Sequence, residues 1–351
     1  MGGEVYNLIV DLSIALASLV YSHSVGMLIS KGTARFLALF PVICVFVCLP
    51  LNLKTIIFAG PISFLLSWLG SFKLILYAFG QGPLSTDPAL TLYHFIFAAC
   101  LPIKIIRNQE NASHQIKKKS YIDYAPKVIL FILSIIGYGY KDYFHALVTI
   151  CFIAYSFVFM FVVSFNMIAL LFGTILGVKL EPQFDEPHRA TSVQNYWGKR
   201  WNLVVSDILR LIVYNPARAI FSHFFPERWV SVPAVITTFL VSGIMHEMMF
   251  YHLGLYNPTW EVTWYFILQG LWIGMEIVIK KTLGKRLELP PILAWLITIT
   301  FLTLTTHWLF FPSFLRLDPL VTICKETMAL IGFMKHGHLL SLEEHACPFF
   351  G

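Results

Sequence analysis

Two short stretches of this chain hold residue types that could do chemistry. The first is VSGIMHEMMFYH, residues 241–252, where His246 and Glu247 stand within an apolar run that begins at Val230. Ionisable side chains inside such a run are costly, and each is a functional-site hypothesis by default. A neutral imidazole accepts a proton, as a general base must; the bland alternative is a structural histidine bonded to a neighbouring helix. The second stretch is NYWGKRWN, residues 195–202, which gathers two tryptophans, two cations and two asparagines into eight residues.

The HE pair invites comparison with the HExxH zinc motif, which needs a second imidazole at i+4. Here i+4 is Phe250, and His252 falls at i+6, most of the way around a helix. The histidine-rich boxes of membrane desaturases and hydroxylases are absent too, so no metal is expected. GxSxG is missing, and no cysteine stands beside a histidine with an orienting partner. What remains is a buried base without a protein nucleophile, which suits direct transfer: a bound hydroxyl gives up its proton and attacks an acyl group activated as a thioester. Glu247 diverges from His246 by about 100° around a helix. It either orients the imidazole or pairs with a cation from another span.

The second stretch suits an acyl-CoA, whose anionic, aromatic head must stay in water while its tail belongs in lipid. Lys199 and Arg200 are placed to pair with phosphate oxygens, and Trp197 and Trp201 to meet the aromatic and apolar parts. Asn202 is a hydrogen-bond partner for the thioester carbonyl or the attacking hydroxyl. Periodicity alone favours the blander reading of the two tryptophans, as interfacial aromatic anchors.

The elements that must position these residues follow from composition. Of 351 residues, 57% are hydrophobic and 13% charged, against about 25% charged in soluble domains. Lipid is therefore the main solvent, and the fold class is all-α: a polytopic transmembrane bundle of about eight to ten spans. Candidate spans are 5–22, 35–51, 56–79, 89–103, 126–140, 143–165, 230–251, 262–280 and 291–311. An apolar stretch at 166–178 continues the sixth, and 319–334 is a marginal tenth. We read one membrane-embedded domain, 1–351, with a motif loop at 179–229 and a catalytic span at 230–251. The first segment opens with Glu4 and Asp11 and reads as a span, with no cleaved signal.

Basic residues cluster in 104–127, in 179–229 and at Lys280, Lys281, Lys285 and Arg286. The positive-inside rule places all three clusters in the cytoplasm, with Lys31 and Arg35 dissenting. The sequon at Asn111 then stays unglycosylated. The net charge of +6 has no long basic run, so nucleic acid is not an expected partner, whereas membrane lipid is. The six cysteines show no zinc spacing and no disulfide framework. Within the motif loop, a cap at Thr191 or Ser192 should start a short interfacial helix through Arg210. Its apolar face is Val193, Trp197, Trp201, Val204, Val205 and Ile208. Asp11, Lys73 and Glu276, each within a span, line a tunnel or form buried pairs.

Across residues 35–315 the chain resembles the plant wax-synthase-like O-acyltransferases, related to the membrane-bound O-acyltransferase superfamily. The stretches that carry the resemblance are FKLILYAFGQGPLS (72–85), LPIK (101–104), LEPQFDEPHRATSVQNYWGKRWN (180–202), FLVSGIMHE (239–247) and PTWEVTWYF (258–266). The resemblance implies a multi-pass enzyme of the endoplasmic reticulum that moves an acyl group from acyl-CoA, its cosubstrate, to a lipophilic alcohol, foremost a long-chain alcohol to give wax esters. It implies that His246 is the catalytic base and Asn202 its upstream polar partner; Trp197, Arg200 and Trp201 match the motif more loosely. Sterol or diacylglycerol acceptors are the alternatives within the family. A transporter with the HE pair on a solute path, or a scaffold that binds acyl-CoA, are the alternatives outside it.

Overall fold

The computed structural model describes residues 1–85, 90–102, 145–176, 183–284 and 289–336, with isolated positions 129, 132, 133 and 180. The expected span 126–140, the first basic loop with Asn111, Lys285, Arg286 and the tail after 336 lie outside the described residues.

Twelve helices carry the described chain. They are α1 Gly2–Leu28, α2 Thr33–Cys48, α3 Ile56–Ala78, α4 Leu92–Cys100, α5 Ala146–Leu176, α6 Val193–Lys199, α7 Leu203–Leu209, α8 Asn215–Phe221, α9 Ser231–His252, α10 Glu261–Leu283, α11 Pro291–Leu315 and α12 Pro319–His336. Six of them (α1, α2 as continued by the 3₁₀ turn to Asn52, α3, α9, α10 and α11) are long and apolar enough to cross a bilayer. The two apolar stretches 143–165 and 166–178 prove to be one helix, α5, of 31 residues. Contacts divide the chain into two compact units. One comprises Met1–Pro102, Asp207–Val278 and Leu309–Gly351; the other comprises Ile103–Ser206 and Ile279–Trp308.

In the first unit α3 is the axis, and it is the most enclosed of the six spans. A helix start leaves four backbone N–H groups without partners, and inside a membrane each of them is costly. Here two carboxylates meet them. Glu4 of α1 accepts from the Lys54 and Thr55 N–H at 2.9 and 3.2 Å, and the buried Glu326 of α12 accepts from Ile56 and Ile57, both at 2.9 Å. At the other end Arg35 donates to the Tyr77, Gly26 and Ile29 carbonyls, tying the C-termini of α1 and α3 together. Arg35, which dissented from the charge pattern, thus has a structural use.

The other intramembrane charges resolve similarly. Lys73, fully buried, donates to the Ala98 and Leu101 carbonyls at 2.6 and 2.5 Å. It therefore closes the C-terminus of α4, and among the described residues it makes no carboxylate pair. Asp11 accepts from Asn52 at 3.0 Å, and Glu276 from the Trp272 indole at 3.2 Å. Cys44, Cys48 and Cys100 are free thiols, whereas Cys324 is disulfide-bonded, a departure from the expectation that spacing could not reveal.

Three helices widen locally into π-helical turns: Ser63–Gly70 in α3, Arg210–Tyr214 between α7 and α8, and Thr306–Phe310 in α11. Each adjoins a proline. Pro216 and Pro312 have no N–H to give the carbonyls of residues 212 and 308, which lie inside the widened turns. Pro61 stands just before the first. Such turns often occur at functional sites, and two of them supply walls around His246.

Candidate active site

The structure gives His246 a defined protonation geometry. Its Nδ1 lies 2.7 Å from the Ser242 carbonyl one turn back on α9. A carbonyl oxygen can only accept, so Nδ1 carries the hydrogen, and the lone pair of the neutral ring falls on Nε2. That tautomer is the one a general base acting through Nε2 requires.

Aromatic rings wall the imidazole. Phe266 of α10 lies 4.3 Å away, centroid to centroid, Trp68 of the α3 π turn 5.1 Å, and Phe310 of the α11 π turn 6.3 Å. Phe266 and Phe310 carry no polar atom, so they hold the ring's orientation and shed water from it without competing for Nε2. No role for Trp68, Phe266 or Phe310 came from the sequence. Phe266 does close the quoted motif PTWEVTWYF, which was the available signal.

Glu247, buried beside His246, does neither of the things expected of it. Its carboxylate accepts from the Thr263 N–H at 3.3 Å and from the Val262 N–H, so it caps the start of α10. The same register is enforced by glycine. A Cβ on Gly243 would lie 2.9 Å from the Thr263 Cα and 3.1 Å from its carbonyl oxygen, and one on Gly270 would lie 2.9 Å from the Phe239 Cβ. These small residues let α9 and α10 touch backbone to backbone, which brings Phe266 onto His246. Gly270 and Gly274 form a GxxxG pair that the sequence displays. His252 bonds to the buried Ser63 hydroxyl at 2.8 Å and joins α9 to α3.

Asn202 and the NYWGKRWN residues belong to the other unit. Ser192 caps α6, as expected, by accepting from the Asn195 N–H at 2.9 Å. The expected continuous helix to Arg210 is broken. Arg200 and Trp201 turn back to the Tyr196 carbonyl, and Asn202 adopts the left-handed region at φ 38°, which asparagine tolerates better than most residues. Asn202 then caps α7, its Oδ1 accepting from the Val205 N–H at 3.3 Å. The acceptor half of the amide is thereby engaged, and the Nδ2 donors are the half that suits a substrate. They fit a carbonyl oxygen or an oxyanion, and they cannot take a hydroxyl proton.

Arg200 is drawn inward. Its Nε donates to Asn195 Oδ1 at 2.6 Å, and Nη1 to the Asp185 and Glu186 carbonyls at 3.0 and 3.3 Å. Together with the backbone bonds Asp185 N–H to Arg200 O and Leu203 N–H to Gln183 O, it straps residues 183–186 across 200–203. Lys199 is exposed. Trp201 stacks on Tyr196 at 5.5 Å and packs edge-on to Phe184 at 5.0 Å and Trp197 at 6.3 Å. Val193, Val204, Val205 and Ile208 are buried, as the apolar face requires.

A multi-pass helical protein with an unprotonated imidazole nitrogen in one membrane-length helix and an amide donor at a helix start is equipped for proton transfer and carbonyl polarisation. Comparison with known proteins sharpens that class. A model of the membrane bound O-acyl transferase family matches residues 180–268, which include Asn202, His246, Glu247 and Phe266. The protein named "Probable long-chain-alcohol O-fatty-acyltransferase 8" of Arabidopsis thaliana is 37% identical, with 92% of this chain and 94% of that protein aligned. The long-chain-alcohol O-fatty-acyltransferase of Simmondsia chinensis is also 37% identical (86% and 88% aligned). The acyl-CoA–sterol O-acyltransferase 1 of Arabidopsis thaliana is 34% identical (91% and 94% aligned). The chain belongs to this wax-synthase-like family and is a membrane-bound O-acyltransferase.

Proposed function

We propose that the protein transfers a fatty acyl group from acyl-CoA to a long-chain alcohol, forming wax esters in the endoplasmic reticulum membrane. The observation that carries the reading is the unprotonated Nε2 of His246, held by the Nδ1–H bond to Ser242 within an aromatic wall. The alcohol O–H proton passes to Nε2 as the oxygen attacks the thioester carbon. The Asn202 Nδ2 donors stabilise the oxyanion, the C–S bond breaks, and the imidazolium returns its proton to the departing thiolate. Lys199 pairs with CoA phosphate, and Trp197 and Trp201 support the donor at the same motif.

A sterol acceptor is the second reading, favoured by the similarity to the acyl-CoA–sterol O-acyltransferase over 91% of the chain. Acceptor shape would be set by apolar lining, where one methylene is worth about 1–3 kcal/mol.

The test uses microsomes from yeast lacking its own neutral-lipid acyltransferases. Labelled acyl-CoA is offered with fatty alcohol, sterol or diacylglycerol. Ester from one acceptor class names the substrate. His246→Ala should lower turnover by about 10²–10⁴-fold at equal expression. Asn202→Asp keeps the cap oxygen and the tolerated φ while deleting the amide donor, so it should fold and lose about 10²–10³-fold in kcat. Near-normal turnover in either variant removes that residue from the mechanism.

A further inference from the structure

Gln183 presents a buried polar side chain that the fold itself does not use. It is 2% exposed, and neither its Oε1 nor its Nε2 has a hydrogen-bond partner. Among the described residues it is the one member of its unit with such atoms. Buried amides are nearly always bonded, and leaving both halves open is costly. The backbone of Gln183 is firmly placed, since its carbonyl accepts from the Leu203 N–H at 2.8 Å, directly after Asn202. The following residue, Phe184, packs on Trp201. An unsatisfied donor and an unsatisfied acceptor thus lie on the strap that crosses NYWGKRWN.

We propose that the Gln183 amide binds the pantetheine arm of the acyl donor, accepting from one of its amide N–H groups and donating to one of its amide carbonyls. This deepens the acyl-CoA reading and rests on it. Fatty chains and sterol rings carry no such groups, a hydroxyl fills one of the two vacancies at a time, and a lone water needs further polar partners. The pantetheine arm carries two secondary amides, and it is the uncharged polar segment that must pass between phosphate and thioester. Because the side chain is enclosed, the arm displaces its cover as it seats.

The experiment uses the full-length protein in lipid nanodiscs, with Gln183→Leu and the unbranched Gln183→Met beside wild type. Free CoA is compared with adenosine 3′,5′-bisphosphate, which lacks the arm, by thermal shift and by binding titration. Removing an unpartnered amide should leave the ligand-free melting temperature unchanged or raised. CoA affinity should fall about tenfold, as expected for two modest hydrogen bonds, with nucleotide affinity unchanged. Wild type that binds CoA while both variants bind it equally well overturns the proposal alone. A raised KM for alcohol at unchanged CoA affinity overturns it too, moving Gln183 to the acceptor. Wild type that takes up no CoA overturns the acyl-CoA reading itself, and this proposal with it.

Discussion

Gly243 separates packing from chemistry in α9, the helix of His246. In Gly243→Ala the new Cβ would sit 2.9 Å from the Thr263 Cα and 3.1 Å from the Thr263 carbonyl oxygen, while ordinary contact begins at 3.4 Å. Both obstructing atoms are backbone, so no side chain can turn away, and α9 and α10 must part by about 0.5 Å, the difference between 3.4 and 2.9 Å. Overpacking of this kind costs about 1–3 kcal/mol. The Glu247–Thr263 bond, already 3.3 Å long, would stretch beyond useful range. Phe266 would draw back from the imidazole, and misplacement approaching 1 Å can cost about 100-fold in rate.

The same substitution at Gly270 meets the Phe239 Cβ at 2.9 Å, farther from the imidazole along α10, and at Gly274 only the Val232 Cγ1 at 3.2 Å. Melting of purified protein and initial rates of ester formation should therefore rank as wild type, then Gly274→Ala, then Gly270→Ala, with Gly243→Ala the most impaired. Gly243→Ala should lose activity out of proportion to its stability. A Gly243→Ala enzyme with wild-type melting and turnover refutes the close approach, and equal losses at all three positions refute its link to His246.

Two further substitutions test the buried carboxylates. Glu247→Gln keeps one oxygen for the Val262 and Thr263 N–H groups and should retain most stability, whereas Glu247→Leu strands both, at about 1–3 kcal/mol for each; equal melting of the two variants would remove the cap. Glu326→Ala frees the Ile56 and Ile57 N–H groups, so α12 should become sensitive to limited proteolysis before the rest of the chain does, and unchanged cleavage would contradict the docking seen here.

Composition makes the spans and His246 legible, because an ionisable group inside lipid is costly unless something requires it. His246 stands out against its apolar neighbours for that reason. Glu247 stands out equally but serves backbone N–H groups at the start of the next helix, 16 residues on, a partner that no side-chain pattern encodes. Arg200 likewise meets partners that no side-chain pattern encodes, the carbonyls of 185 and 186, which take part of its fork. The break at Arg200–Asn202 has no glycine or proline of its own to mark it, and the π turns are hidden because periodicity does not register one extra residue. Gln183 has no pattern at all; only the absence of a partner reveals it.

The double capping of α3 has a consequence for how the chain is made. Glu326 and Ile56 are 270 residues apart, so at ordinary translation speeds of about 5–20 residues per second the ribosome works for about 15–50 s after Ile56 before Glu326 exists. Until then Glu4 alone greets that helix start, and two amides wait in the insertion machinery or at the bilayer edge. The helix bearing Trp68 is thus among the earliest to be synthesised and among the last to be finished. A chain stalled or cut before α12 would present an unfinished axis to membrane quality control, however complete its catalytic residues.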